Sequence, residues 1–475
     1  MVRARSRDID MTSGPILRNM LLFALPLIFT NLLQMLYNAT DMIVVGLSSE
    51  PDAVGAIGTT TSFAALIVSL FIGLSVGANV VVARHIGARD EERVSRAVHT
   101  STVVALIFGV VGGVVGVLIA KPVMILMGNE GRLLELSVLY TRIYFAALPF
   151  HSLSNYAIAL HRAKGDTSTP LVVLAVSGVV NVALNLLFVL VLDMSVEGVA
   201  IATAVAAALS AIVLYANLMR EQGPCRFSFQ KLCFDRVEMK RILMIGIPSG
   251  IQGALFALSN MMIQSSIIQV NNTLCSATAP YQPVVKGNAA VANLEGFVYT
   301  AVNAVTQATI SFTSQNLGAG RIDRIKRVML TSYALDFGIA VILSVALVLF
   351  NRPLLVLYGV SPDATDALAQ LAYDSAMTRI LWTIVPYGLI AFMEIGSGVM
   401  RGLGKTLSST IVCLLGACFL RVLWVGTVFR AFGTLESVFL VYPISWIITG
   451  VALFLLAARA LRRYCQNSLG KTYEL

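Results

Sequence analysis

The sequence predicts an all-α integral membrane protein, with twelve transmembrane helices in two six-helix lobes related by a pseudo-two-fold axis along the membrane normal. Three observations lead there: composition, the length and number of apolar runs, and an internal repeat. Hydrophobic residues make up 57% of the chain and charged residues only 12%, whereas a soluble domain carries about a quarter charged residues. Mean hydropathy is +0.81. Apolar runs of spanning length, about 20 residues or more, fall at 16–45, 54–83, 97–119, 133–160, 168–192, 196–219, 240–270, 288–316, 327–350, 367–400, 406–430 and 434–458. Lys and Arg then sort by side: with the N-terminus inside, 26 lie in cytoplasmic segments and 5 in external loops, the positive-inside pattern. Both termini are therefore expected in the cytoplasm. The net charge of +9 comes from these loop clusters, so it marks topology and excludes a nucleic-acid reading.

The first apolar segment, Ile16 to Val45, sets the style of the others. A helix of that length exceeds a hydrocarbon layer of about 30 Å and must tilt or kink. Pro26 supplies the joint, because it lacks an N–H and its ring presses on the carbonyl one turn back. It is the expected hinge. Near the far end stands Asp41, a carboxylate that is costly in lipid unless it faces a partner or a wet cavity. The apolar run is too long for a signal-peptide core and no small-residue cleavage site follows it, so the segment is expected to be retained.

The repeat turns twelve spans into two copies of six. Pro26 pairs with Pro248 at an offset of 222 residues. Ile86-Gly87-Ala88 pairs with Leu317-Gly318-Ala319, and Pro122 to Gly128 with Pro353 to Gly359, both at 231. Pro149 pairs with Pro386 at 237, and Arg162 to Thr167 with Arg401 to Thr406 at 239. The offset grows only at loops, first in Asn271 to Gly287, which reads as a polar external insertion. An even number of spans per copy gives both copies one orientation. The expected domains are an N-terminal lobe (1–219), a hydrophilic, basic cytoplasmic linker (220–240), and a C-terminal lobe with a cytoplasmic tail (241–475).

Several motifs now fall in order on this repeat: Pro26 and Asp41 in the first span, GLSVGANVVVARHIGA from Gly73, LHRAKGDTSTP from Leu160, NVALNLLFV from Asn181, FTSQNLGAG from Phe312 and VMRGLGKT from Val399. Together they resemble the multidrug and toxic compound extrusion family, bacterial branch, from Gly14 to about Arg463. The resemblance implies secondary-active efflux of amphipathic, mainly cationic organic compounds by antiport with protons, with Na⁺ as the alternative ion. Access would alternate between the two lobes of a multi-pass protein in the bacterial cytoplasmic (inner) membrane. In the family's archaeal-type branch the aspartate matching Asp41 works with polar groups on the fifth and sixth helices. The matching positions are Asn181, Asn185 and Thr203, and these with Asp41 are the expected cation-coupling residues. The chain departs from that branch at Asn185, where an aspartate often stands. With one carboxylate fewer, a single proton neutralises the site and the case for Na⁺ at Asp41 weakens. A static ion pair or helix-end cap is the alternative for Asp41, and hydrogen-bonded packing between helices the alternative for the asparagines.

Gln34, Tyr37 and Asn38 lie at i, i+3 and i+4 on the helix of Asp41, with Thr30 and Asn31 a turn earlier; a polar face on a membrane helix looks into a bundle or cavity. They are the expected substrate-binding patch, together with Glu295 and Glu394, which resemble acids of the family's eighth and tenth helices. The alternative for these two acids is simple neutralisation of Arg421. Asp336 in the ninth span has no family match. Met35, Met42, Met261 and Met393 read first as core filler, with an adaptable pocket wall the alternative, and His151 reads as a hydrogen-bonded packing residue, with a proton relay the alternative.

Other mechanisms lack their parts. VMRGLGKT has Val399 where a phosphate loop needs its first glycine, six cysteines show no CxxC spacing, and four histidines no HExxH. No cofactor, metal site or enzyme activity is expected. A flippase of a lipid-linked precursor is the rival function, and it wants a more cationic cavity than embedded Asp41, Glu295, Asp336 and Glu394 provide against Arg379 and Arg421. The expected partners are small organic cations and membrane lipids, and the expected state is a monomer.

Overall fold

The computed structural model describes residues 8–48, 50–275, 279, 281–362 and 366–468, excepting the side chains at 61, 62, 467 and 468. Every regular element among them is helical. In order these are α1 (Ile16–Val45), α2 (Ala53–Ala88), α3 (Glu91–Leu126), α4 (Gly131–Ala146), α5 (Leu148–Lys164), α6 (Ser168–Leu186), α7 (Val196–Arg220), α8 (Arg236–Leu274) and α9 (Pro283–Gly318). Then follow α10 (Ile322–Leu349), α11 (Asn351–Leu357), α12 (Ala367–Arg379), α13 (Ile390–Gly402), α14 (Thr406–Cys413), α15 (Leu420–Trp424), α16 (Arg430–Phe432), α17 (Leu435–Phe439) and α18 (Val441–Ser468). Turns of π-helix extend α6 (Leu187–Val191) and α12 (Ile380–Ile384) and join α14 to α16 (Leu414–Phe419, Val425–Phe429).

Among the described residues ten helical spans are long and apolar enough to cross a membrane, and eleven if α4 and α5, bent by 48°, form one. The remaining expected span is α9. It is 36 residues long, but Asn288, Asn293, Glu295, Asn303, Gln307, Gln315 and Asn316 dilute its apolar character. Such residues are tolerated in a membrane helix whose polar side is covered by protein.

Contacts divide the chain inside α8 and α9, into one unit of residues 1–253 with 314–320 and a second of 254–313 with 321–475. In the first unit α2 and the start of α8 touch backbone to backbone. A Cβ on Gly73 would lie 2.1 Å from Gly250 N, one on Gly77 2.1 Å from Ile242 O, and one on Gly246 2.8 Å from Leu74 Cα. Small residues four apart on both helices allow this approach, the usual route to tight packing where lipid removes the hydrophobic drive. The C-terminal ends of α2 and α9 also cross, and the contact is reciprocal. A Cβ on Gly87 would meet Gln315 O at 1.9 Å, and one on Gly318 would meet Arg84 O at 1.9 Å. Both pairs obey the 231-residue offset.

The same repeat shows in the helix ends. Arg89 and Gly320 (φ 57° and 68°), Gly128 and Gly359 (84° and 69°), and Gly165 and Gly404 (105° and 76°) are left-handed pairs at repeat-related positions. At Gly165 the requirement for glycine is doubled, since a Cβ would also come within 2.5 Å of Ile9 O. Asp90 starts α3 by accepting from Arg93 N at 3.1 Å, with Glu91 and Glu92 placed favourably in the first turn.

The linker packs against its neighbours: Phe227 is buried against Tyr215 and His99, Ser228 N donates to His99 Nε2 at 3.1 Å, and Asp235 N donates to Thr100 Oγ1 at 3.2 Å. Its aromatic residues supplied the apolar contact that a count of charges overlooked. Burial also pushes the thiol of Cys225 there up to about 12. Around the expected external insertion Asn271 to Gly287, α8 continues to Leu274 and α9 starts at Pro283, with Val284 N donating to Asn271 Oδ1 at 3.2 Å. Residues 276–278 and 280 lie outside the described residues.

The second unit is built on an aromatic core. Trp446, Tyr387 and Phe439 are fully buried, with Tyr387 edge-on to Trp446 at 5.4 Å between centroids. Helices α10, α13 and α18 pack together through Tyr333, Phe392 and Phe454.

Candidate functional site

Asp41 sits in the last turn but one of α1 and is 9% exposed. Its carboxylate is held by neutral groups. Asn185 of α6 donates through Nδ2 to Oδ1 at 2.5 Å, and Thr203 of α7 donates through Oγ1 to Oδ2 at 3.3 Å. One turn back on α6, Asn181 Nδ2 donates to Thr203 Oγ1 at 3.3 Å, while Asn185 Nδ2 also reaches Asn181 Oδ1 at 3.4 Å. The four-residue spacing of the asparagines puts both amides on one helix face. Among the described residues no basic side chain pairs with Asp41, so the ion-pair alternative has no partner here. Asn185 Oδ1 is buried beside the carboxylate with no hydrogen-bond partner, an orphaned acceptor that a proton donor or a cation would satisfy.

The surroundings restrict water. Val44, Val45, Val189, Val196, Val199 and Tyr140 form a buried apolar cluster at this end of α1, α6 and α7. The chain leaves α-helical geometry for a π turn two residues after Asn185, a local widening that often marks functional stretches of helix. Tyr140 lies within electrostatic reach of Asp41 and stacks on Tyr144; it was missed in the sequence, where only its four-residue spacing from Tyr144 signalled a shared face.

The other expected residues of α1 divide. Tyr37 turns into the packing with α6, its hydroxyl 3.2 Å from the carbonyl oxygens of Leu174 and Ala175, and Gly178 leaves the space its ring fills. Gln34 and Asn38 are exposed. Pro26 lies within the unbroken α1, and Thr30 Oγ1 donates to its carbonyl at 2.8 Å.

In the second unit Glu295 accepts from Arg379 Nη2 at 2.8 Å, and that guanidinium also lies over Phe439. Neither Glu295 nor Glu394 neutralises Arg421, so the alternative reading of these acids does not hold. Arg421 instead lies 4.4 Å from the ring centroid of Tyr442 and donates to Asn260 Oδ1 at 3.2 Å, its Nε buried without a partner, since a stacked aromatic face and an amide partly offset a guanidinium's charge without a second buried acid. Glu394 is half-buried and makes no ion pair among the described residues. His151 is stacked on Tyr144, and its Nε2 has no hydrogen-bond partner, unlike the bonded packing residue expected. His85 and His161 are buried against Glu238 (2.9 Å) and Asp166 (3.2 Å). Burial opposes ionisation of Asp166, but hydrogen bonds from His161 and Thr169 outweigh it and hold the carboxyl well below its usual range. No cluster of three or more metal-ligating side chains occurs among the described residues.

A buried acid in a cage of neutral donors, on a doubled six-helix plan, agrees with the family the motifs indicated. The model of that family, MatE, matches residues 26–187 and 257–425. The chain belongs to the MatE family. Among relatives of this MatE protein is a probable multidrug resistance protein, YoeA of Bacillus subtilis, 28% identical over 406 residues that cover 84% of this chain and 83% of that one. A FAD transporter of Shewanella oneidensis is 23% identical over 458 residues, 94% and 95% of the two chains. In fold, it is similar to a MOP superfamily transporter from Pyrococcus furiosus at a TM-score of 0.86 and 21% identity, covering 96% of this chain and 98% of that one. The MatE protein is thus an all-helical, multi-pass membrane transporter.

Proposed function

We propose that this MatE protein exports amphipathic, mainly cationic organic compounds in exchange for protons, with access alternating between lobes 1–219 and 241–475. In this reading it lies in the bacterial cytoplasmic membrane with both termini inside and works as a monomer. The observation that carries the proposal is the Asp41 cage, a carboxylate in an apolar setting with two neutral donors and no counter-ion. Protonation removes the charge and adds an O–H donor, and the unpartnered Asn185 Oδ1 provides an acceptor for it once the amide turns over. The same event weakens the ties that α6 and α7 make to α1. That gives the two protonation states different preferred arrangements of these helices, which is what coupling requires. Pro26 is the joint about which α1 bends, Gln34 and Asn38 meet the substrate with Tyr37 fixing the face they share, and Glu394 attracts its positive charge. Glu295 contributes through the field it shares with Arg379.

A proton is favoured over Na⁺ because the cage holds one carboxylate, whereas hard cations prefer several anionic or carbonyl oxygens. The test is efflux of ethidium from vesicles under an imposed pH gradient or Na⁺ gradient, applied separately. A response to the pH gradient that Asp41→Asn eliminates is expected. Efflux driven by Na⁺ alone, or by protons in the mutant, overturns the assignment. FAD belongs in the same assay, given the named relative; FAD transport without ethidium transport would replace the cationic substrate class.

A further inference from the structure

The MatE protein has a second carboxyl group that the exchange at Asp41 leaves unused. Asp336, on α10, is 0% exposed, and neither carboxyl oxygen has a hydrogen-bond partner. The hydroxyl of Tyr333, three residues earlier on the same helix, is also buried without a partner. Helices α10, α13 and α18 close around this region through Tyr333, Phe392, Phe454 and Leu453.

Two of the arginines of this unit are occupied elsewhere, while Arg401 of α13 faces Glu394 with its Nε unpartnered. Arg379 is held by Glu295, and Arg421 by Asn260 and Tyr442. The titratable groups sharing the region are Glu394 and Arg401 of α13, Tyr299 of α9, Tyr387 of the turn Tyr387–Leu389, and Tyr333. Of these, Glu394 is the acid whose charge reaches Asp336, and Arg401 acts on Glu394. A lone carboxylate with no donor and no counter-ion in a dry interior neutralises itself by taking a proton. An acid that makes no hydrogen bond also adds nothing to the packing that an apolar side chain of the same size would not. Its proton is what distinguishes it.

We propose that Asp336 is a second proton site of the transporter, protonated in the arrangement described here and deprotonated when α10 and α13 part and admit water during turnover. The step is a simple exchange: the carboxylic O–H breaks, the proton passes to water, and the carboxylate is left hydrated beside Glu394. This inference rests on the proton-driven reading of the protein but uses a different residue.

Infrared difference spectroscopy of the full-length protein in lipid reads the site directly, without substrate. Asp336→Asn should remove one carboxylic-acid carbonyl band present at neutral pH, and Asp336→Glu should restore it at a shifted frequency. In weakly buffered solution, Asp336→Asn should release one proton fewer per ethidium bound than the wild type. A wild-type band pattern in Asp336→Asn, or unchanged proton release, overturns the proposal. Loss of all proton-linked transport in the wild type with the Asp336 band present would overturn the exporter reading and leave the protonated group standing.

Discussion

Placed side by side at the offsets of their flanking motifs, the two halves of the MatE protein have complementary polar positions. Asp41, Asn181, Asn185 and Thr203 correspond to Ile263, Leu420, Trp424 and Tyr442. In the other direction, Glu295 and Asp336 correspond to the buried alanines Ala64 and Ala105. The scaffold has stayed the same, with prolines, left-handed caps and small-residue crossings in register, while the ionisable groups have not. Chain geometry tolerates few solutions at a cap or a close crossing, whereas a buried charge is costly in either half and is kept only where it has work to do. The halves also treat acids differently. Asp41 is held by neutral donors, Glu295 is fixed by Arg379, and Asp336 is held by nothing.

The strongest way to break this contrast is to neutralise the first half. Asp41→Asn should lower gradient-driven ethidium efflux by about tenfold or more, since the two states then no longer differ in proton affinity. Ile263→Asn, its counterpart in the second half, should leave the ion dependence of transport unchanged. Equal loss of proton dependence from both substitutions in vesicle assays would end the claim of asymmetry.

The fixed pair sharpens the contrast through stability. Glu295→Gln leaves the Arg379 charge buried and should cost about 3–5 kcal/mol. The double change Glu295→Gln with Arg379→Met should recover most of that loss in thermal unfolding in detergent. A single mutant as stable as the wild type would show that the pair is not a structural lock.

At the crossing of α2 and α9 the halves should behave alike. Gly87→Ala and Gly318→Ala each drive a Cβ into a carbonyl oxygen, and overpacking of this kind costs about 1–3 kcal/mol. Closely matched drops in melting temperature are expected. Asp166 yields the smallest effect. Its folded-state carboxyl is held below the usual range, so its contribution is present above the ordinary carboxylate range and is lost as pH falls through the folded value. Asp166→Asn should therefore flatten the acid side of a plot of melting temperature against pH.

Much of this was legible in the sequence. Span length, charge bias and the repeated prolines and glycines follow from rules local to the chain, and they led to the helices with shifts of only a few residues. The Asp41 cage was legible because its asparagines share a face and match a family pattern. What escaped were partners chosen in three dimensions: Arg379 for Glu295, Tyr442 for Arg421, and the burial of the linker at Phe227. Nothing in spacing along the chain tells one buried arginine from another.

The contact of Gly87 with Gln315 and of Gly318 with Arg84 is isologous: each partner meets in the other the surface that it presents itself. Such self-complementary pairing is what identical subunits show across a dimer axis. One repeated position therefore accounts for both contacts, and a change at either glycine alters only half of a junction built from two copies of the same fit.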